Sequence, residues 1–263
     1  MTRAQRTLAL QAHDRHGRRK HGVFLVEGLR CTREALARHP QALRLAIASQ
    51  SFADSADAAA LQALLPPGHS LELLADPEFA KLAATDTPQG ILCLFQTLPE
   101  PPPATTPPRP CLLVLDRLQE PGNLGTILRT AWAAGLHEAW LTAGTTDPFG
   151  PKAIRAGMGA QFALALREVA DLATAKAELL RRGGRRLWAA VPAGGVNCFS
   201  PGYDPAGNAL VIGNEANGIR PEDLTLMDRV TIPMPGNAES LNAAQAATIL
   251  LFEGVRRGLA GGG

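Results

Sequence analysis

"IPMPGNAESLNAAQAATILLFEG" (residues 232–254) opens like a strand end at Ile232-Pro233-Met234, turns through Pro235, Gly236 and Asn237, and closes as an alanine-rich helix with almost no charge. Helices on a protein surface are polar on one side. A helix carrying Ala243, Ala244, Ala246 and Ala247 has no bulk there and can approach another element closely. It is therefore expected to be buried on several sides, inside its own domain or against a second subunit. Ser240 is expected as its N-cap, with the helix running over 240–257.

Outward from this stretch, the C-terminal part alternates strands and helices. "CLLVLD" (111–116) is continuously apolar, as in a sheet covered on both faces. A helix follows over 123–135, then strand 138–143, a helix over 150–160, strand 162–168 and helix 172–183. Strands "RRLWAAV", "ALVIGNE" and "RVTIPM" complete the pattern. Such alternation predicts a parallel sheet with helices on both faces. The N-terminal part alternates too, with strands over 22–28, 43–49, 71–74 and 90–96 and helices over 30–39, 56–65 and 76–83. That pattern predicts a small α/β layer fold. Between the two parts lies "LPEPPPATTPPRP" (98–110), where seven prolines in thirteen residues exclude helix and central strand. The division expected is a domain over 1–97, a stiff linker over 98–110 and a larger domain over 111–263. The terminal "GGG" (261–263) is expected to fray.

Composition excludes several classes. At 263 residues, 46% hydrophobic and 19% charged, the chain reads as globular and able to bury a real core. Its apolar runs are too short to span a bilayer, and its basic N-terminus lacks a signal-peptide core; a cytoplasmic protein is expected. Cys31, Cys93, Cys111 and Cys198 are scattered without zinc spacing, so no metal site is predicted. Net charge is only +2, but residues 1–39 hold nine basic side chains against three carboxylates. A basic segment beside a near-neutral remainder suits a polyanion partner, or else a solvated face in an arginine-rich chain.

Ligands of open α/β sheets bind beyond the carboxyl ends of the strands. Three loops at that edge are unusual. "LDRLQEPGNLGTILRTA" (115–131) sets Asn123 between Gly122 and Gly125, with Arg129 further into the helix. Its spacing is not the dinucleotide fingerprint G-x-G-x-x-G. "LVIGNEANGIRPE" (210–222) ends a strand on Gly213, where a ligand or another backbone can come close. Glu215 could then accept hydrogen bonds, clamp Arg129, or favour a helix dipole. The third loop is the opening stretch itself.

Together, N-x-G-x-x-x-R-T-A in "NLGTILRTA", G-x-E-x-x-G in "GNEANG", and IPM-x-G-x-x-x-SLN resemble, in this order, the three signature motifs of the SpoU/TrmH family of RNA 2′-O-ribose methyltransferases. The likeness covers essentially the whole second domain. "EGLRCTREAL" and "TDTPQGIL" more weakly resemble the ribosomal-protein-like RNA-binding domain that precedes it in many members. The resemblance implies a C-terminal trefoil-knotted parallel-sheet domain of the SPOUT type, working as a homodimer, with the last helix passing through the knot and packing at the dimer interface. It implies S-adenosylmethionine as cofactor, cradled by Gly213, Ile232, Met234, Leu241 and Asn242. Arg129 would stabilise developing alkoxide charge or grip a phosphate, since an arginine is a poor base. Asn123, Glu215, Ser240 and Asn242 would position Arg129 and the ribose. Arg15, Arg18, Arg19, Lys20, Arg30 and Arg33, with Lys152 and Arg155, would meet RNA phosphates. The two-domain layout favours 23S ribosomal RNA over tRNA. A non-catalytic RNA-binding protein of the same fold is the rival reading.

Overall fold

The computed structural model describes residues 1–260 apart from Pro103, Pro107, Arg109 and Asn237. Part of the proline linker, the Asn237 corner of the turn and the triglycine tail therefore lie outside the described residues. The chain divides into two compact units, Met1–Pro99 with Asp147–Ala163, and Glu100–Thr146 with Leu164–Gly263.

The first unit begins with α1 (Arg3–Gln11) and α2 (Arg15–His21), followed by β1 (Val23–Glu27), α3 (Leu29–Arg38) and β2 (Leu43–Ser49). Next come α4 (Gln50–Ala53), α5 (Ala56–Gln62), β3 (Leu71–Leu74), α6 (Asp76–Ala80) and β4 (Ile91–Gln96). The four strands form one sheet in the order β1-β4-β2-β3, antiparallel except where β3 runs parallel to β2. The first two helices are additions to the sequence reading, which took this segment only as charge. Their signals are local: Thr2 and Gln5 form a capping box, Asp14 caps α2 through Gly17 N, and Gly22 ends it with φ +62°.

The second unit holds β5 (Leu112–Leu115), α7 (Pro121–Ala133) and β6 (Glu138–Thr142). The chain then returns to the first unit as α8 (Pro151–Gly157) and α9 (Ala160–Ala163). It comes back as β7 (Ala165–Val169), α10 (Leu172–Arg181), β8 (Leu187–Ala190), β9 (Val196–Asn197), β10 (Ala209–Ile212), β11 (Asp228–Thr231) and α11 (Ala243–Ala260). All seven strands lie in one parallel sheet, ordered β7-β6-β5-β10-β8-β11-β9. β5 and β10 sit at its centre with every residue buried, which explains their continuously apolar sequence. One face packs Leu112, Val114, Trp140, Leu187 and Val211 against Leu172 and Leu179 of α10. Against the sheet on its own side, α11 buries Ala244, Ala247, Leu250 and Leu251. It packs along α7, where Thr130 and Thr248 hydroxyls meet at 3.3 Å. The alanines thus do give close approach, but α11 is not covered all round: Phe252 is 45% exposed.

Residues 147–163, which the sequence reading placed in the second domain, pack with the first unit for an identifiable reason. Ile154 and Phe162 join a core with Phe24 and Phe95, and Phe149 meets the Phe24 ring at 4.9 Å between centroids. Arg18 fastens the segment polarly. Its Nε donates to Asp147 Oδ2 at 2.7 Å, and its Nη1 donates to the carbonyls of Ala12 and His13. Arg18 is only 7% exposed, so its expected role as a phosphate contact is corrected: a buried guanidinium must be paired, and this one is. Arg18→Ala is expected to destabilise the protein by about 3–5 kcal/mol, because it leaves Asp147 without its charge partner. Chemical denaturation checks this, and a loss below about 1 kcal/mol would class the pair with weak surface bridges.

Candidate active site

The carboxyl ends of β8, β10 and β11 surround a cavity of about 790 Å³. Gly213, Ile232, Met234, Leu241 and Asn242, all named from the sequence, line it, as do Glu215 and Ser240. The walls are mostly apolar, with Ile212, Ile219, Leu224 and Leu250 adding bulk. Ala190 at the end of β8, with Val191, Pro192 and Ala193 beyond it, also contributes. Sequence reasoning passed over these four, although "VPAGG" (191–195) is a Pro-Gly loop at a strand's carboxyl end.

Gly213 is glycine for a geometric reason. After β10 the chain folds back so that Asn214 and Gly218 form an isolated bridge. A Cβ on Gly213 would lie 2.6 Å from Gly218 C and 2.7 Å from Ile219 N. Of the two causes weighed from sequence, the close partner within this chain is another backbone.

Three loops meet in one hydrogen-bond chain. Glu215 Oε1 accepts from Asn123 Nδ2 at 3.1 Å. Asn123 Oδ1 accepts from Asn242 Nδ2 at 3.0 Å, and Asn242 Oδ1 accepts from Ala244 N at 2.9 Å. The carboxylate can only accept, so each amide orientation along the chain is set by it. Asn242 rather than Ser240 therefore caps α11. The helix begins three residues later than expected, and the Asn242 side chain is the one in reach of its free N–H groups. Ser240 keeps an exposed hydroxyl on the cavity wall.

Glu215 also accepts from the backbone N–H of Gln119 and of Glu120, both at 3.0 Å. Burial pushes its pKa up, but the Gln119 N–H, the Asn123 amide and the Glu120 N–H outweigh that, and the net shift is below the ordinary 4.5. The clamp is thus at full strength at neutral pH and is lost as pH falls through the lowered value. In an NMR titration the Glu215 carboxyl is expected to show a midpoint below 4.5, rising in Asn123→Ala. A wild-type midpoint above 4.5 would contradict the clamp.

Arg129 stands apart. It is exposed on α7, does not line the cavity, and makes no hydrogen bond or ion pair among the described residues. Neither Glu215 nor Asn123 clamps it. The remaining cations named from sequence all lie in the first unit. Arg15, Arg19 and Lys20 are exposed on α2, Arg30 on α3, and Lys152 and Arg155 on α8, while Arg33 pairs with Asp57 at 2.8 Å. The fold thus adds Lys152 and Arg155 to the unit that carries the basic N-terminal segment. Among the described residues no cluster of His, Cys, Asp and Glu could hold a metal ion, and no helix is long and apolar enough to cross a membrane.

The stretch of chain that carries this cavity matches a known family. Residues 110–252 match the model of the SpoU rRNA methylase family. The chain belongs to that family. As a SpoU family member it is an RNA methyltransferase, and residues 8–93 match the MRM3-like substrate binding domain. The 23S rRNA (guanosine(2553)-2′-O)-methyltransferase RlmP of Bacillus subtilis is 32% identical over 244 residues, 91% of each chain. The solved SpoU methyltransferase AviRb from Streptomyces viridochromogenes, in complex with AdoMet, superposes with a TM-score of 0.83 at 26% identity, covering 99% of both chains. A TrmH-family RNA methyltransferase structure from Porphyromonas gingivalis gives a TM-score of 0.82 at 30% identity, covering 98% of this chain and 99% of that one.

Proposed function

We propose that this SpoU family member transfers a methyl group from S-adenosylmethionine to a ribose 2′-hydroxyl of structured ribosomal RNA, 23S RNA being favoured, in the cytoplasm. The observation that carries the reading is the Glu215–Asn123–Asn242 chain at the mouth of an apolar cavity. It ties the three signature loops into one site. The cavity fits the cofactor: its volume lies in the range of small-molecule sites, its walls suit an adenine, and Gly213 leaves main chain exposed there.

When bound, the cofactor supplies an electrophilic methyl on a sulfonium, so the donor needs no activation. This chain's residues have two tasks, alignment of the ribose oxygen and stabilisation of the charge it gains. Ser240 and Asn242 line the cavity and would hold the ribose edge. Arg129 would stabilise the alkoxide or grip the adjacent phosphate through its planar fork. The exposed cations of the first unit would supply phosphate contacts, which bring affinity and steep salt dependence rather than sequence choice.

The catalytic unit would act as a homodimer with a trefoil knot through which α11 is threaded. The exposed Phe252 on α11 supports an interface there. That Arg129 is absent from the lining of its own chain's cavity favours a site completed by the second copy.

The test uses purified protein, tritiated S-adenosylmethionine, and separate pools of unmodified ribosomal RNA and tRNA, each digested to nucleosides. Label in a 2′-O-methylnucleoside from the ribosomal pool is expected. Label from the tRNA pool alone would move the substrate, and label on a base would discard the ribose chemistry. Cofactor binding without transfer to either pool would point to a substrate missing from both, such as an assembly intermediate, and no cofactor binding would favour the non-catalytic reading.

A further inference from the structure

The loop after β5 holds a backbone conformation that its residue type disfavours. Arg117 has φ +53°, a left-handed region that side chains other than glycine's rarely enter. Such outliers persist where the surroundings over-determine them, and here the surroundings can be named. Asp116, 3% exposed at the end of β5, accepts at Oδ2 from Arg117 Nε at 3.1 Å and Nη2 at 2.7 Å. Its Oδ1 accepts from Thr142 Oγ1 at 2.8 Å, and that hydroxyl in turn accepts from Arg117 N at 3.1 Å. The carboxylate folds the arginine back onto its own neighbour, and Thr142 closes the ring. Gly144, in the loop after β6, leaves room: a Cβ there would touch Arg117 Cγ at 3.4 Å.

The turn directs the polar groups on either side of Gln119. The Arg117 carbonyl accepts from Asn214 Nδ2 at 2.9 Å and from Gln119 Nε2 at 3.1 Å. The same Gln119 amide donates to Gly144 O at 2.6 Å. The backbone N–H groups of Gln119 and Glu120 then close on Glu215. A reversal of the peptide at Arg117 would break the Asn214 contact and swing both N–H groups off the carboxylate.

We propose that Arg117 is a positioning residue for methyl transfer: anchored by Asp116, its left-handed backbone sets the amides that hold Glu215, and through Glu215 the Asn123–Asn242 chain. This rests on the site reading given under the proposed function. A glycine would adopt the same φ without strain but without the anchor. An alanine would lack both.

That difference supplies the test. Arg117→Gly, Arg117→Ala and Asp116→Asn are compared with wild type for kcat, RNA KM, cofactor affinity and Tm. Both Arg117 variants strip Asp116 of the same partner and alanine alone adds backbone strain, so a purely structural role lowers activity only in step with Tm. The positioning role separates them. Arg117→Ala is expected to lose at least about tenfold in kcat and Arg117→Gly no more than about threefold, with RNA KM nearly unchanged in both. Asp116→Asn keeps the volume and one acceptor and is expected to lose about threefold to tenfold in kcat. Equal kcat losses in Gly and Ala, or losses that merely follow Tm, overturn the proposal. If neither folds, an unchanged kcat in Asp116→Asn overturns it. Arg129→Ala, run alongside, separates the two levels. An active Arg129→Ala overturns the site reading. An inactive one beside indifferent Arg117 variants overturns only this inference.

Discussion

Arg129→Ala is expected to lose on the order of a hundredfold to a thousandfold in methyl transfer, the size of removing one oxyanion-stabilising donor. Cofactor affinity should stay within about twofold, since the residue forms no part of the cavity wall. Its setting makes the experiment clean. Arg129 is exposed and unengaged among the described residues, so the fold loses nothing with it, and stability should change by less than about 0.5 kcal/mol. Arg129→Lys keeps the charge but not the planar fork, and should recover only part of the rate. The readouts are tritium transfer to RNA, calorimetric cofactor binding and a thermal melt. An alanine variant that keeps most of its activity would remove Arg129 from the mechanism.

Gly213→Ala should act at the other end of the site, on the cofactor. The added methyl would stand 2.6 Å from Gly218 C and 2.7 Å from both Ile219 N and Ile219 Cγ1. Two of these atoms are backbone and cannot rotate away, so the loop over 214–219 must move. That loop carries Glu215 and part of the cavity wall. Overpacking of this kind costs about 1–3 kcal/mol in stability. Cofactor affinity is expected to fall at least about tenfold, as the wall and the clamp shift together. Gly218→Ala is the control. Its φ is +62° but no atom lies within 4 Å of the added carbon, so it carries backbone strain without a clash. Calorimetry on both variants decides. Equal, small losses would show that the loop yields and that Gly213 is not fixed by contact.

Much of this architecture was legible from local pattern. The strand over 43–49 and the strand over 71–74 stand where alternation and turn residues put them, and the continuous apolar runs are the sheet's buried centre. The cavity residues named from the loops after β10 and β11 all line one space because strand ends converge there. What failed to show was long-range. Nothing near Asp147 announces Arg18, so the return of 147–163 to the first unit was invisible to periodicity. A positive charge in a run of positive charges reads as surface, and Arg18 is the one that the fold buries. Ser240 and Asn242 are equally good caps by type, and only the register of α11 chooses between them. The helices α1 and α2 are a different case, since their caps are local signals that a basic composition masks.

The place of β10 in the sheet has a consequence for how the protein is made. β8 pairs with β10 and β11, and β5 with β6 and β10. Before β10 arrives, the earlier strands can form only a three-stranded fragment whose β5 edge lacks its partner, and β8 has no neighbour at all. On a ribosome that edge stays open while nearly a hundred further residues are polymerised, since β5 ends at Leu115 and β10 begins at Ala209. Parallel pairings closed over such distances form slowly and leave edges open to wrong partners in the meantime. The strand that joins the two parts of the sheet also carries Gly213 and Glu215 just past its end, so no nascent chain can build the cavity before β10 has joined them.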